Sequence, residues 1–407
     1  MKQKLILTLV VVVALLAIAG YATGLISTTI VSAETQPNAA AVSPAVLAAP
    51  RLGTLTDFET ALENVYAQVD PSVVAIEVVT QQSATLRTPS IPGFRGQLPQ
   101  LPQAPTQQAL GSGFVWDTQG NIVTNNHVVA NASKITVTFV DGTMAQAKLV
   151  GADPDSDLAV VKVDLPASQL RPVQVADSTQ VKVGQFAIAI GNPFGEENTM
   201  TTGIVSALER TLPTGSDTAA GPSYTIPDII QTDAPINPGN SGGVLLNSDG
   251  KVIGVTAAIE SATRASSGVG FAIPSAIVQK VVPALIKTGH FDHPYLGISG
   301  GTLTPSLAQA MNLKADQRGA LVGSVTRGGP AEKAGLRGST QSATIDGQSV
   351  NVGGDVIIAF NGTPVKTFDD LVAYLARTDV NQTITLTILR DGKQQAIQVT
   401  LAPRPSA

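Results

Sequence analysis

The hydrophobic pattern divides the chain into stretches of different kinds. Behind Lys2 and Lys4 no charged residue occurs until Glu34, and the 22 residues from Leu5 to Ile26 are predominantly apolar. About 20 such residues cross a bilayer as a helix. Positive charge before the run, with none after it, directs the rest of the chain outward. A cleaved signal peptide is the rival reading, with Val31-Ser32-Ala33 as its cleavage site, but the run is long for one. Residues 1–33 are therefore expected to be a signal anchor or signal peptide. Residues 5–26 are favoured as a retained membrane anchor, and the chain is extracytoplasmic in either case.

Residues 34–55 open Ala/Pro-rich and read as a flexible linker. A helical period then begins. Thr56 or Asp57 can cap a helix with Phe58, Leu62, Val65, Tyr66 and Val69 on one face, ended by Pro71. "SVVAIEVVT" follows as a strand. Gln81 to Ala109 holds five prolines and seven glutamines with no period, which predicts a long mobile loop. From Leu110 to Phe271 short β-like runs such as "KITVTFVDGT", "LAVVKVD", "QFAIAIGNP" and "KVIGVTAAIE" are separated by turn signals. Many short strands with Gly/Pro turns predict a sandwich or closed barrel. Pro274 to Lys287 returns to a helical period, with Pro283 inside and Gly289 as a stop. "HFDHP" reads as a linker. A smaller α/β domain follows, with strand "ALVGSVT", helix "TFDDLVAYLAR" and hairpins on Asn361-Gly362 and Asp391-Gly392. These elements set domain boundaries of 56–289 and 290–403.

Composition narrows the chemistry. Of 407 residues 43% are apolar and 14% charged, with a net charge of -5, which suffices for two cores and leaves no basic footprint for nucleic acid. Without cysteine there is no thiol nucleophile, disulfide or thiolate metal site. Histidine occurs only at 127, 290 and 293. No GxxxxGK[ST] nucleotide loop appears, and no cofactor is expected.

"QTDAPINPGNSGGVLL", residues 231–246, sets Ser241 among glycines 239, 242 and 243. This is either a nucleophile displayed on a tight bend or an ordinary turn. A serine hydroxyl needs a base, and the base needs an orienting group. His127, at the end of a β-like hairpin in the same domain, suits the base better than the linker histidines. Asp157 directly precedes the strand "LAVVKV" and is anchored by it, whereas Asp153 and Asp155 read as solvated turn residues. A calcium loop over Asp153, Asp155, Asp157 and Asp164 fails at its sixth position, where Leu158 replaces the required glycine. His290 and His293 are two ligands in a linker, too few for a metal site.

The order His127, Asp157, Ser241, carried by "TNNHVV", "DSDLAVVKV" and "NPGNSGG", resembles the chymotrypsin-like serine proteases, and within them the HtrA/Deg family. The resemblance runs from about Phe58 to Pro403. It implies a mostly β, chymotrypsin-like double β-barrel protease domain followed by a smaller α/β PDZ domain. It implies Ser241 as nucleophile, His127 as base and Asp157 as its orienting group. The N–H groups of Gly239 and Ser241, with Asn240 as a third candidate, would bind the oxyanion. Pro235, six residues before the serine, would lie at the base of the specificity pocket beside Ile236. Apolar walls from "TAAIE" and "GVGFAI" would then favour valine, alanine, isoleucine or leucine, unless Glu260 turns inward.

"HPYLGIS" resembles the carboxylate-binding loop of PDZ domains, with Tyr295, Leu296, Gly297 and Ile298 capturing a peptide C-terminus. Residues 338–352 are an insertion relative to many such domains. The activity implied is ATP-independent endopeptidase cleavage of unfolded or damaged proteins, by a homotrimer or larger assembly. The alternative is a catalytically weak peptide-binding chaperone or adaptor. An esterase on the same triad is a third reading, disfavoured by the PDZ domain.

Overall fold

The computed structural model describes residues 55–81, 106–192, 197–214, 224–257, 268–345 and 347–405. The expected anchor and its tether, and Glu260 with most of its wall segment, lie outside them. Helix α1, Leu55–Val69, starts the described chain. Val65 and Val69 are buried and Leu62 and Tyr66 pack beside them, as the period predicts. Phe58, on the same face, stays 46% exposed and lies edge-on against Phe186, ring centroids 5.2 Å apart. Pro71 sits in a short turn, Asp70–Ser72, that leads into the first strand.

Six strands close the first barrel: β1 Val73–Gln81, β2 Thr106–Val115, β3 Asn121–Asn125, β4 Ala132–Thr138, β5 Met144–Asp153 and β6 Leu158–Val163. Their spatial order is β1-β2-β3-β6-β5-β4. Closure removes free sheet edges and buries one side chain in two. Val74, Ile76, Val115, Ile122 and Val161 fill the interior. The expected loop at Gln81–Ala109 is corrected at both ends. Gln81 pairs with Thr106, Thr80 with Gln107 and Val79 with Gln108. A glutamine-rich stretch has no β pattern of its own, but ladder bonding to β1 makes it a strand.

The second barrel comprises β7 Phe186–Gly191, β8 Thr199–Thr214, β9 Tyr224–Thr232, β10 Val244–Leu246, β11 Val252–Ala257 and β12 Gly270–Pro274, in the order β10-β11-β12-β9-β8-β7. The one-turn helix α2, Asn126–Val129, follows β3. Helix α3, Ser275–Thr288, follows β12 and buries Val278, Val281, Val282 and Leu285 against both barrels. Pro283 lies on its exposed side, and Gly289 terminates it in the left-handed region at φ 82°.

The C-terminal module is a six-stranded sheet with helices on it. Its strands are β14 Ile298–Thr302, β15 Ala320–Val325, β18 Val356–Phe360, β19 Thr363–Pro364, β20 Thr383–Arg390 and β21 Lys393–Thr400. Short β13 Pro294–Tyr295 and β22 Ala402–Pro403 pair beside it. The expected insertion is a separate hairpin, β16 Gln341–Ile345 with β17 Gln348–Val352. Helices α4 Pro305–Ala310, α5 Pro330–Lys333 and α6 Phe368–Ala376 complete the module. Thr367 and Asp370 form a capping box at the start of α6.

The module and the barrels belong to one compact unit. Lys280 on α3 donates to the carbonyls of Ala376, at 3.1 Å, and Thr378 at the end of α6. Arg377 forks onto Asp228 of β9 with two bonds of 3.0 Å.

Candidate active site

Asp157 and His127 come from different hairpins, and four hydrogen bonds fix one on the other. Asn126 N–H and Asn125 Nδ2 donate to the Asp157 carbonyl at 3.1 and 2.9 Å. His127 N–H donates to Asp157 Oδ1 at 2.9 Å, and His127 Nδ1 lies 2.7 Å from Oδ2. Asp157 adopts φ 52°, a left-handed conformation that Asp tolerates better than most residues. A carboxylate can only accept, so Nδ1 carries the proton in the neutral ring and Nε2 becomes the basic atom. The side chain of Asp157 is 13% exposed and that of His127 46%: the carboxylate is sheltered and the ring is open.

Ser241 is buried, on the turn that enters β10. Gly239, two residues before it, has φ 96°. Asn240 N–H donates to Asn237 O at 2.9 Å, Gly243 N–H to Asn240 O at 3.0 Å and Gly242 N–H to Thr256 O at 2.9 Å. Thr256 Oγ1 adds a second bond to Asn240 O at 2.5 Å. The Asn240 amide is thus engaged within the turn. Of the three amides expected to face an oxyanion, this one is corrected: the turn's own bonding draws it to Asn237.

The serine turn packs directly on the strand that delivers the histidine. A Cβ at Gly242 would stand 2.2 Å from the Ser112 carbonyl, 2.4 Å from Thr124 Oγ1 and 3.2 Å from Asn125 N. Only glycine permits that approach. Asn125 is in turn bonded to Asp157, so the serine turn rests on the strand end that also holds the His127–Asp157 pair. Ser112 and Asn125 were not foreseen. Single polar residues inside β patterns carry no local signal of a long-range bond.

Beside the serine turn, Ile236 is buried, and a Cβ at Gly270 would meet its Cδ1 at 2.8 Å, so it packs against β12. Pro235 is exposed, and its carbonyl accepts from Thr201 Oγ1 at 2.9 Å. In the C-terminal module Leu296 is buried and Gly297 has φ 81°. The Leu296 and Gly297 carbonyls accept from Ala331 and Thr326 N–H, each at 2.9 Å. Tyr295 Oη and Thr326 Oγ1 share a hydrogen bond of 2.9 Å, and Ile298 opens β14 at the end of the sheet. Phe368 of α6 reaches over β14: a Cβ at Gly300 would lie 3.1 Å from its ring.

Two expectations near the site change. Asp153 is not solvated but 4% exposed, accepting from Ser156 Oγ and lying 2.8 Å from His293 Nε2. "HFDHP" is therefore no plain linker: its second histidine plugs into the turn that carries Asp157. Asp153, Asp155 and His293 bring ligand-type atoms within 4.8 Å of one another, but Arg404 Nη1 already stands 3.1 Å from Asp155 and supplies the positive charge.

Two closed six-stranded barrels with the candidate residues at their seam are the fold of the trypsin-like peptidases. The trypsin-like peptidase domain family matches residues 111–255, and the PDZ domain family residues 294–401. The class is that of a serine endopeptidase. The chain is 42% identical over 349 residues to "Protease Do-like 1, chloroplastic" of Arabidopsis thaliana, covering 85% of this chain and 73% of the relative. It is 43% identical over 295 residues to "Probable periplasmic serine protease do/HhoA-like" of Haemophilus influenzae, covering 72% of this chain but 58% of that one. The solved structure "HtrA-type protease AlgW with decapeptide" superposes with a TM-score of 0.64 at 34% identity, covering 85% of this chain and 99% of that chain. The chain belongs to the Deg/HtrA family of serine proteases.

Proposed function

We propose that this endopeptidase cleaves unfolded or damaged polypeptides with Ser241 as nucleophile, His127 as general base and then acid, and Asp157 as the group that orients His127. The observation that carries the reading is the double grip of Asp157 on the backbone and ring of His127, with the serine turn packed on the same strand end. Nε2 takes the serine proton as Oγ attacks the carbonyl, then returns it to the leaving amine. The amides of Gly239 and Ser241 hold the oxyanion; one such donor is worth about 3 kcal/mol. The test is casein digestion together with fluorophosphonate labelling. Wild type should digest and label at Ser241, and Ser241→Ala should do neither. Labelling without digestion would favour the chaperone reading.

The specificity pocket is assigned to Pro235, Ile236 and the facing strand β12. An apolar floor prefers valine, alanine, isoleucine or leucine on the acyl side of the cut, loosely, since one methylene is worth only about 1–3 kcal/mol. Mass spectrometry of casein fragments tests this; cuts after lysine and arginine would overturn it. The loop Tyr295–Ile298 and the outer edge of β14 are assigned to exposed peptide C-termini, added as an extra strand.

Location outside the cytoplasm is supported by the N-terminal run and by the periplasmic name of the Haemophilus relative, with residues 5–26 as anchor. A homotrimer or larger assembly is supported by exposed apolar side chains on α1 and β8: Leu55 at 72%, Phe58 at 46% and Ile204 at 41%, the last paired with Phe186. Light scattering on Phe58→Ser tests it; an unchanged trimer mass would remove this face from the interface.

A further inference from the structure

The residue that ties the serine turn to the first barrel is Ser112, in the middle of β2. It is fully buried and makes a bond with every polar atom it has. Its N–H donates to the Ser241 carbonyl at 2.7 Å. Its carbonyl accepts from Thr124 Oγ1 at 2.7 Å. Its hydroxyl donates to the Gly239 carbonyl at 2.6 Å and accepts from Asn192 N–H at 2.7 Å. The backbone bond needs no particular side chain. The hydroxyl does, because it meets an acceptor and a donor at once, and only a group that is both can satisfy them.

We propose that the Ser112 hydroxyl is a positioning group for the oxyanion site, holding the Gly239 carbonyl so that the Gly239 and Ser241 amides converge on one point. This rests on the assignment of Ser241 and its turn to catalysis. The bonds around the turn show why one hydroxyl matters. The Asn240 carbonyl is held by Gly243 and Thr256, and the Ser241 carbonyl by Ser112 N–H. The peptide between Gly239 and Asn240 is gripped at its N–H by Asn237 and at its C=O by Ser112 Oγ. That peptide follows a glycine at φ 96°, whose backbone has no Cβ to restrict it. Without the hydroxyl, its carbonyl is a buried acceptor left unmet, and rotation of the flanking peptides toward another donor becomes favourable. Donors for an oxyanion act only when fixed in advance, so rotation lowers the rate without emptying the substrate groove.

The hydroxyl also links the turn to α1. Asn192, whose N–H it accepts, donates through Nδ2 to Asn198 Oδ1 at 3.2 Å. Asn198 Nδ2 donates to Asp70 Oδ1 at 2.8 Å, and Tyr66 Oη donates to Asn198 O at 3.0 Å. The oxyanion turn is therefore braced by residues from both barrels and the leading helix.

The test compares Ser112→Ala and Ser112→Cys with wild type on a short chromogenic peptide. A peptide aldehyde serves as transition-state mimic, and the cleaved product peptide as a ground-state ligand. Expected is a roughly 10- to 100-fold fall in kcat for Ser112→Ala with KM and product affinity unchanged. Aldehyde affinity should fall in parallel, with Ser112→Cys between the two. Ser241 should still label with a fluorophosphonate, and thermal unfolding should stay cooperative. A wild-type kcat in either folded variant would overturn the proposal. So would equal losses of aldehyde and product affinity, or failure of both variants to fold, since each makes the hydroxyl merely structural. An active Ser241→Ala would instead sink the underlying catalytic assignment.

Discussion

One short turn, Asp153 to Asp157, presents two histidine–aspartate pairs of similar length that differ in the ring nitrogen engaged, Nδ1 of His127 and Nε2 of His293, and in their surroundings. Asp157 holds His127 at 2.7 Å, and Asp153 holds His293 at 2.8 Å. The His127 side chain is 46% exposed and stands at the seam where the serine turn arrives; that of His293 is 11% exposed, with Phe291 edge-on to its ring at 4.8 Å. The first ring can exchange a proton with a third party. The second is enclosed, tied at its backbone by Arg404 N–H, and joins the C-terminal module to the first barrel. The same pair of side chains is thus a candidate catalytic unit in one place and a structural clasp in the other. Access and the nearby hydroxyl decide which, not the strength of the bond.

The largest effect should come from breaking the open pair. Ser241→Ala and His127→Ala are each expected to lower peptide hydrolysis by several orders of magnitude while leaving Tm within a few degrees. The double variant should be little worse than either, since residues that act as a unit are strongly non-additive. Steady-state kinetics with calorimetry checks this; additive losses would mean the two side chains work separately.

Breaking the enclosed pair should do the reverse. His293→Ala leaves Asp153 buried with one partner fewer, and removing one member of a buried charged hydrogen bond costs roughly 2–3 kcal/mol. Tm should fall by several degrees, while short-peptide kcat at 25 °C stays within about threefold, because Asp157 keeps its own bonds. A chain ending at Gly289 should show at least this destabilisation, since it also leaves Lys280 and Asp228 without their partners on α6 and Arg377. Beyond that, it should lose activity on long unfolded chains more than on short peptides, because a peptide-binding module contributes effective concentration, not chemistry. Equal loss on both substrates would make the clasp part of the catalytic machinery.

The sequence made the open pair legible and the enclosed one not. His127 and Asp157 sit in runs whose strand periodicity fixes their neighbours, and Ser241 is marked by glycines at 239, 242 and 243. The short strands and the module's hairpins could be read for the same reason: alternation and turn residues are local. Pattern alone left a sandwich or a closed barrel open, and the two barrels were implied by the family resemblance. His293 and Asp153 are 140 residues apart, and nothing in "HFDHP" or "DPDSD" says that they meet. Ser112 escapes for the same cause, its hydroxyl spanning 127 residues to Gly239. So does Asp355, 1% exposed inside a two-bond clamp from Arg390 at 2.7 Å. Hydroxyls and carboxylates that bond across the fold have no period, and their burial is decided by tertiary packing alone.

The smallest effect concerns Asp155, on the rim of the enclosed pair. Burial pushes its carboxyl above the ordinary 3.8, with Asp153 acting in the same direction and Arg404 and His293 opposing. A raised value means that the folded protein holds the proton more tightly than the unfolded chain does. The stability linked to that proton is fully present below about 3.8 and fades as pH rises through the folded value. Asp155→Asn cannot ionise. Its Tm relative to wild type should therefore become more favourable as pH is raised from below 3.8 through the raised folded value. Arg404→Ala removes the nearest opposing cation, so the wild-type loss should grow in that background. Calorimetry at four or five pH values decides the sign. A difference that shrinks as pH rises would mean that the Arg404 ion pair outweighs burial, making Asp155 a second member of the clasp.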